Sequence, residues 1–222
     1  MKKVSIRRTA TERTPMTIRA VIFDMGKVLV HFTHDGMFAA MGEVCGATGA
    51  EIRRWLWDSG LQDRFERGEI DAAGLRRQLE QHVGRKLDEA ALMRAASDIF
   101  TLNEPLVPLI QSLGQGGYRL VVLSNTCPPH VAWIRRHWDV LDLFDEHVFS
   151  YEVGVMKPDP AIYQAAAAAA GHPPTECFFV DDLAENVAAA RELGMGGAVF
   201  TGVGELRAAL EEAGVPAACE AE

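Results

Sequence analysis

Residues that could carry out chemistry occur in four clusters, each at the end of an apolar segment or just before a predicted helix. The clusters are Asp24, the pair Ser124 and Asn125, Lys157, and the pair Asp181 and Asp182. Asp24 directly follows the run AVIF at residues 20–23, whose composition is that of a strand covered on both faces. In an open parallel α/β sheet the carboxyl ends of the strands face the ligand crevice. We therefore expect Asp24 to point at the ligand, and it is the candidate nucleophile.

Each cluster taken singly also has an ordinary structural explanation. Asp24 could be a turn residue that Gly26 helps to reverse, and Ser124 could cap a turn. Lys157 could be a solvated surface amine, and Asp182 could cap the following helix. The joint occurrence of the clusters in this order favours a shared site over these explanations.

Three carboxylates at one sheet edge, those of Asp24, Asp181 and Asp182, would repel one another unless cations lie among them. A Mg²⁺ ion and Lys157 together would supply three positive charges against three negative ones. Magnesium sites use few protein oxygens and leave positions for water and a substrate phosphate. Ser124 and the neighbouring backbone amides, at a turn that leads into a helix, suit a phosphate oxygen.

Alternating strand and helix signals predict the elements that position these clusters. The predicted strands are residues 20–23, 118–124, 147–151, 177–180 and 198–200. Helical signals separate the later strands, so the sequence predicts a doubly wound parallel sheet of the α/β class. Periodicity alone does not give the order of the strands.

A block of helical signals interrupts the α/β pattern after the first strand. Residues 31–34 are predicted to leave the sheet as a flap, and the predicted helix caps are Asp35, Thr48 with Glu51 in a capping box, Asp71 and Asp88. The sequence therefore predicts a helical cap domain at residues 33–102. Residues 17–32 and 103–222 would form the discontinuous core domain.

Composition restricts the class of protein. Of the 222 residues, 48% are hydrophobic and 24% are charged, which is typical of a globular protein, and no apolar run is long enough to span a bilayer. The net charge is -9 although the first 19 residues hold six basic side chains and one acidic one, so an acidic body disfavours a nucleic-acid partner. Residues 1–16 are predicted to be a disordered basic extension, with Met16 as an alternative start. The four cysteines are widely spaced, which indicates a reducing, cytoplasmic compartment rather than a zinc site or disulfides.

The chain resembles the haloacid dehalogenase-like hydrolases over about residues 17–200, in the branch with an inserted helical cap. The segments FDMGKVLV at residues 23–30 and FERGEI at residues 65–70, with the Asp181-Asp182 pair, look most like the α-D-glucose-1-phosphate phosphatase-like members. The resemblance implies a three-layer Rossmann-like sheet of order 5-4-1-2-3. It also implies a Mg²⁺-dependent phosphatase for a small, sugar-phosphate-like monoester.

Roles for the individual residues follow from the same resemblance. The Mg²⁺ ligands would be the Asp24 carboxylate, the Gly26 carbonyl and the Asp182 carboxylate, with Asp181 beside or behind the ion and Asn186 supporting the loop. Lys157 would hold a phosphate oxygen, as would Ser124 with Asn125, and would restrain the nucleophile. Asp24 would then attack in line and form an aspartyl-phosphate that water hydrolyses.

The sequence departs from the family pattern at Gly26, where most phosphatases of this family carry a second aspartate. That aspartate protonates the leaving oxygen, and such a group typically contributes about 10²- to 10⁴-fold in rate. The substrate would then have a good leaving group, as in a sugar 1-phosphate, or His31, His34 or a cap residue would supply the proton. A binding module without turnover is a third interpretation. Metal-independent dehalogenation is a fourth, which the Asp181-Asp182 pair disfavours.

Substrate choice is predicted to depend on the cap, because its closure excludes water and its inward side chains meet the leaving group. The cap residues selected as candidate substrate contacts are Trp55, Trp57, Arg64 and Arg67, alongside His31 and His34. A tryptophan at helical spacing is more often part of a core. The sequence leaves the leaving group and the oligomeric state open.

Overall fold

The computed structural model describes residues 17–216, so the predicted basic extension at residues 1–16 lies outside the described part of the chain. The strands are β1 (Ala20–Phe23), β2 (Val30–His31), β3 (Thr101–Leu102), β4 (Arg119–Ser124), β5 (Glu146–Phe149), β6 (Cys177–Asp181) and β7 (Gly196–Val199). The helices are α1 (His34–Cys45), α2 (Gly49–Arg53), α3 (Leu61–Glu66), α4 (Ala72–Val83), α5 (Glu89–Ser97), α6 (Val107–Gln115), α7 (Pro128–His137), α8 (Ser150–Val153), α9 (Pro160–Ala170), α10 (Ala184–Glu192) and α11 (Val203–Glu212). None of the helices described is long and apolar enough to cross a membrane.

A parallel five-stranded sheet of order β5-β4-β1-β6-β7 forms the centre of the fold. Counting only the strands of this sheet along the chain, the order is the predicted 5-4-1-2-3. The first strand is central, and all four of its residues are completely buried because neighbours cover both faces and both edges. The predicted fold class is confirmed.

Helices pack on both faces of the sheet because successive strand residues point to opposite sides. Val21 and Phe23 of β1 face an apolar cluster that includes the buried residues of α6 and α11. Ala20 and Ile22 face a second cluster formed mainly by the alanine-rich helix α9. These two clusters make the three layers of the α/β fold.

The inserted segment between β2 and β3 has an apolar cluster largely of its own, with buried side chains from α1 to α5. The predicted caps are present at Thr48 with Glu51, at Asp71 and at Asp88. Asp35 was the wrong cap for α1: the Thr33 side chain accepts the bond from the Gly36 N–H, and the helix begins at His34. The predicted flap is shorter than expected, because Val30 and His31 pair with β3 at the two ends of the insertion.

The insertion contacts the sheet domain closely where α3 meets α8. Gly68 follows α3 at φ 70°, and a Cβ added there would lie 2.3 Å from the Tyr151 carbonyl oxygen. The Ser150 hydroxyl donates to the Glu66 carbonyl at 2.6 Å and accepts from the Thr126 N–H at 3.0 Å. These contacts hold the end of α3 against the carboxyl end of the sheet.

Gly68→Ala is expected to destabilise the protein more than Gly84→Ala. Both glycines have left-handed backbones, with φ of 70° and 69°, so alanine costs about 1–2 kcal/mol at either position. Open space surrounds Gly84, whereas Gly68 faces the Tyr151 backbone, and such overpacking adds about 1–3 kcal/mol. Urea unfolding of the two variants measures the difference, and equal losses would contradict the close contact.

Candidate active site

A cavity of about 270 Å³ lies at the carboxyl ends of β1, β4 and β6, beneath the inserted helices. The predicted site residues that line it are Asp24, Gly26, His34, Ser124, Asn125, Lys157, Asp182 and Asn186. Their convergence follows from the parallel sheet, because the residues that end adjacent parallel strands meet at one edge. Four distant parts of the sequence therefore form one site.

Lys157 lies at the centre of the charged cluster. Its Nζ is 2.7 Å from Asp24 Oδ1, 2.6 Å from Asp181 Oδ2 and 3.3 Å from the Leu123 carbonyl oxygen. The lysine side chain is only 2% exposed, yet its three N–H donors all have partners. Burial opposes its charge, but Asp24 and Asp181 together raise the pKa of Lys157 above its ordinary value.

The pKa of the Asp24 carboxyl lies close to neutral pH. Burial raises the pKa of Asp24 to about 7, Lys157 opposes this shift and Asp181 adds to it. One buried lysine is therefore not enough to keep this carboxylate fully ionised. A further cation at the site would lower the pKa and favour the nucleophilic form.

The adjacent aspartates at the end of β6 have different surroundings. Asp181 is completely buried, and its oxygens accept bonds from Lys157, from the Asn186 side chain at 3.0 Å and 3.1 Å, and from the Leu183 N–H at 2.8 Å. Asp182 lines the cavity and is 19% exposed. Asp181 thus orients the lysine and the loop, while Asp182 faces the ligand space.

Lys27 was not predicted as a site residue. Its Nζ lies 3.7 Å from Asp182 Oδ2 and the side chain is 47% exposed, so it forms a looser ion pair than Lys157. Burial and Asp181 raise the pKa of Asp182, and Lys27 opposes the shift. The sequence offered little signal for Lys27, because it appeared only as a turn residue after Gly26.

The donor set fits a small divalent cation. Oxygens of Asp24, Asp181 and Asp182 lie within 4.8 Å of one another, and hard carboxylate oxygens are the ligands that Mg²⁺ takes in proteins. Gly26 lines the same cavity and brings a backbone carbonyl to this edge. Burial and, to a lesser degree, the Asp181 charge raise the pKa of both Asp24 and Asp182, and a bound cation would oppose both shifts.

Gly26 is also the place where an acidic side chain would be expected, and the Phe32 ring lies close to the point where such a side chain would begin. A Cβ added to Gly26 would lie 3.0 Å from the edge of the Phe32 ring. Phe32 in turn makes edge-on contacts with His34 and Phe100, at centroid distances of 5.0 Å and 5.4 Å. Aromatic side chains therefore line the cavity beside Gly26.

The loop after β4 supplies polar groups on the opposite side. The Asn125 amide exchanges two hydrogen bonds with the Lys157 backbone, at 2.8 Å and 3.0 Å, so it positions the lysine loop. Ser124 is buried and lines the cavity, with its hydroxyl 3.4 Å from the Asn125 carbonyl. Thr126 also lines the cavity, and its buried hydroxyl has no hydrogen-bond partner in the described chain.

Among the six predicted cap and flap contacts, His34 alone lines this cavity within residues 17–216. His31 pairs with Thr101 in the short β2–β3 sheet, and Trp55 stacks on His82 at a centroid distance of 4.8 Å. The other three lie outside the lining as well: Trp57 packs edge-on against His34 at 5.0 Å, Arg64 pairs with Glu69 at 3.5 Å, and Arg67 is exposed after α3. Their role in substrate choice stays a prediction.

Sequence reasoning missed most of the cavity roof, which is formed by Phe32, Met37, Gln62, Glu66, Phe100 and His130. The Glu66 carboxylate accepts a 2.6 Å bond from the Gln62 amide, and burial raises the pKa of Glu66 to about 7. The segment FERGEI contains Glu66, but only the following residue, Arg67, was predicted as a substrate contact. Burial of that glutamate depends on how α3 is docked.

Comparison with known proteins agrees with the fold. The model of the haloacid dehalogenase-like hydrolase family matches residues 18–194. The chain is 30% identical over 186 residues to the sesquiterpene phosphatase astK of Aspergillus oryzae, covering 83% of this chain and 91% of that protein. It is also 30% identical to the D-ribitol-5-phosphate phosphatase of Bacteroides thetaiotaomicron, covering 80% and 89%.

Among solved structures, a haloacid dehalogenase family enzyme of Bacteroides thetaiotaomicron, crystallised with magnesium and inorganic phosphate, superposes with a TM-score of 0.76 at 24% identity. The match covers 85% of this chain and 98% of that one, and at this identity it establishes the fold alone. The family model covers most of the chain, and both phosphatases match along most of their length. The protein described here therefore belongs to the haloacid dehalogenase-like hydrolase family.

Proposed function

We propose that the protein is a Mg²⁺-dependent phosphatase that hydrolyses a small phosphate monoester through an aspartyl-phosphate on Asp24. The observation that carries the proposal is the bridge from Lys157 Nζ to Asp24 and Asp181, with the Asp182 carboxylate within 4.8 Å of both acids. Two relatives at 30% identity are named as phosphatases, which supports a phosphate ester as substrate.

The chain's own residues divide the work of phosphoryl transfer. The Lys157 ammonium and the buried hydroxyls of Ser124 and Thr126 would hold phosphoryl oxygens at the end of β4. Asp24 would attack phosphorus in line as the ester oxygen departs. Water would then attack the aspartyl-phosphate, releasing inorganic phosphate and restoring the carboxylate.

Mg²⁺ would be held by Asp24, Asp182 and the Gly26 carbonyl, and when bound it supplies positive charge that offsets the negative charge on the transferring group. Asp181 would not contribute a freely accessible oxygen, because its hydrogen bonds go to Lys157, Asn186 and the Leu183 backbone. In this proposal Asp181 would support Lys157 and would lie behind the ion.

The cavity favours a small substrate. Its volume of about 270 Å³ is slightly below the roughly 300–1,000 Å³ typical of small-molecule sites. Phe32, Met37 and Phe100 offer apolar contact, while Gln62 and His130 offer hydrogen bonds. A small alcohol with both apolar and hydroxyl groups suits this roof, and a sugar-like phosphate is one such ester.

The expected result of an assay panel is phosphate release that needs Mg²⁺. Sugar phosphates, alditol phosphates and short prenyl phosphates are incubated with the protein, and EDTA should abolish release that excess Mg²⁺ restores. Mg²⁺ should also raise the thermal midpoint, because a ligand bound only by the folded state stabilises it. Asp182→Asn should lose most of this rise, whereas the exposed Asp142→Asn should keep it.

Three other results would contradict the proposal. Release that is unchanged in EDTA would exclude the metal-dependent reaction. Binding of phosphate or vanadate without turnover of any ester would favour a binding module. Halide release from 2-haloacids without metal would favour dehalogenation.

A further inference from the structure

The proposed phosphatase reaction needs a proton at the leaving oxygen, and Gly26 cannot supply it. An alkoxide is a poor leaving group, so hydrolysis of an alkyl phosphate depends on a proton donor near the ester oxygen. Gly26 has no side chain, and the edge of the Phe32 ring lies 3.0 Å from the position that its Cβ would take. The donor must therefore come from another part of the cavity.

The titratable residues that line the cavity fall into two groups. The first group is the charged floor, formed by Asp24, Lys27, Lys157 and Asp182. The second group is the roof, formed by His34, Glu66 and His130. The leaving group would lie toward the roof, because the phosphoryl group is held at the floor by the strand ends.

The two roof histidines are poor proton donors at neutral pH. Burial lowers the pKa of His130 to about 4, and burial with the Lys27 charge lowers the pKa of His34. Their rings also serve as packing surfaces, since His130 meets Phe100 edge-on at 5.1 Å and His34 meets Trp57 edge-on at 5.0 Å. Both imidazoles are therefore neutral walls of the cavity.

Glu66 has the properties that the histidines lack. It lies at the end of α3, and the bond from Ser150 to its carbonyl ties this turn to the sheet domain. The Gln62 amide donates to Oε1 at 2.6 Å, and the side chain has no second hydrogen-bond partner in the part of the chain that the structure describes. Its carboxyl group therefore has one oxygen fixed by Gln62 and the other available to the cavity.

The surroundings of Glu66 suit a group that gains and loses a proton near neutral pH. Burial raises its pKa to about 7, the Asp63 charge adds to this shift, and the Gln62 hydrogen bond and the Lys157 charge oppose it. The other titratable groups near it or in the same cavity are Cys127, His34, His130, Asp24, Lys27 and Asp182. The glutamate is thus available both as an acid and as a base.

We propose that Glu66 is the proton donor and acceptor that replaces the missing acidic side chain at residue 26. As the bond from Asp24 to phosphorus forms and the ester P–O bond breaks, the Glu66 proton moves to the departing oxygen and an alcohol leaves. The Glu66 carboxylate then takes a proton from the water whose oxygen attacks phosphorus. The aspartyl-phosphate bond breaks, and Glu66 is again protonated.

The test compares two leaving groups in Glu66→Gln. An alkyl phosphate that the wild-type protein hydrolyses needs a proton at its leaving oxygen, whereas p-nitrophenyl phosphate releases a stable anion. The comparison uses kcat/KM, because this constant reports on transfer to Asp24 and not on the later hydrolysis of the aspartyl-phosphate, which is common to both esters. Loss of the proton donor should therefore lower kcat/KM by about 10²- to 10⁴-fold for the alkyl ester, and by less than about 10-fold for the nitrophenyl ester. In the wild-type protein, kcat/KM for the alkyl ester should fall as the pH rises through about 7, because Glu66 loses its proton. This fall should be absent in Glu66→Gln.

Glu69→Gln is the matched control, because Glu69 lies three residues away, is exposed and pairs with Arg64. It should leave both rates and the pH profile unchanged. Retained activity on p-nitrophenyl phosphate shows that Glu66→Gln is folded, and Glu66→Met repeats the comparison if the first variant does not fold. Both variants remove the acid while keeping most of the side-chain volume.

The outcomes separate this inference from the proposed function on which it rests. Equal losses of kcat/KM on the two esters, or undiminished kcat/KM for the alkyl ester in Glu66→Gln, would overturn the role of Glu66 alone. Failure of the wild-type protein to release phosphate from either ester would overturn the proposed phosphatase activity and the role of Glu66 with it.

Discussion

Asp24→Asn is expected to lose at least about 10⁴-fold in the rate of phosphate release, because the amide cannot act as the nucleophile. The substitution keeps the shape of the side chain, and Lys157 retains Asp181 at 2.6 Å. The loss should be similar for alkyl and nitrophenyl esters, since both reactions need the same attack on phosphorus. Colorimetric phosphate assays in saturating Mg²⁺ measure it.

The same variant should be more stable than the wild-type protein in EDTA at pH 8. Burial raises the folded-state pKa of Asp24 from 3.8 to about 7, so the ionised carboxylate disfavours the folded state. This destabilisation is absent below the unfolded-state pKa, grows as the pH rises toward 7 and is complete above it. The advantage of Asp24→Asn should therefore be largest at pH 8 and should vanish near pH 4.

Thermal unfolding of both proteins between pH 4 and pH 8 measures the sign of this difference in stability. Mg²⁺ should narrow or reverse the difference at pH 8, because the ion stabilises the protein that retains the carboxylate. A variant that is less stable than wild type at pH 8 in EDTA would show that burial of the ionised Asp24 carboxylate does not disfavour the folded state. Full phosphate release by Asp24→Asn would exclude the aspartyl-phosphate route.

Lys157→Met is expected to destabilise the protein by about 3–5 kcal/mol, because it leaves a buried charge cluster without its cation. The lysine is 2% exposed, while Asp24 and Asp181 are 10% and 0% exposed, so little water reaches the carboxylates that lose their partner. Urea unfolding in EDTA at pH 8 measures the free energy of unfolding. Phosphate release should also be lost, since residues 17–216 contain no other buried lysine or arginine that would hold the phosphoryl oxygen.

Lys27→Met is the matched control for this prediction. Lys27 approaches Asp182 at 3.7 Å but is 47% exposed, and an exposed ion pair typically contributes about 0–1 kcal/mol. Combining Lys157→Met with Asp181→Asn should recover part of the lost stability, because the second change removes one unpaired carboxylate. Similar losses for the two lysine variants would contradict the central role of Lys157.

Membership in a family of hydrolases does not by itself select the reaction. The protein shares its fold with an L-2-haloacid dehalogenase of Xanthobacter autotrophicus, with a TM-score of 0.60 at 21% identity. The feature that favours phosphoryl transfer here is the group of three aspartates within 4.8 Å of one another. Displacing a halide from carbon requires no such cluster of acids.

Local signals in the sequence predicted the fold and the floor of the site. The apolar run at residues 20–23 had to be a covered strand, and the oxygen of Asp71 or Asp88 had to satisfy free N–H groups at a helix start. Strand ends in a parallel sheet meet at one edge, so Asp24, Ser124 and Asp182 converge whatever the details of packing. These inferences depend on neighbours in sequence and on rules that hold for every parallel sheet.

Other local signals were ambiguous, and packing selected between them. Asp35 was the predicted cap of α1, but Thr33 is the cap, because the helix begins at His34, soon after the short β2–β3 pairing ends at His31. Asp181 and Asp182 are adjacent acids, but only one of them can turn toward the cavity from the end of β6. Asp181 is the interior acid, and it binds Lys157, which is 24 residues away in the chain.

Most residues that form the roof of the cavity could not be predicted from the sequence. Glu66 and Arg67 are adjacent in one helical turn, and whether the acid or the base faces the site depends on how α3 docks through Gly68 and Ser150. The same docking buries Glu66 and thereby raises its pKa. Sequence determined which groups end the strands, whereas tertiary packing decided which neighbouring groups lose water, because desolvation depends on contacts between segments that are distant along the chain.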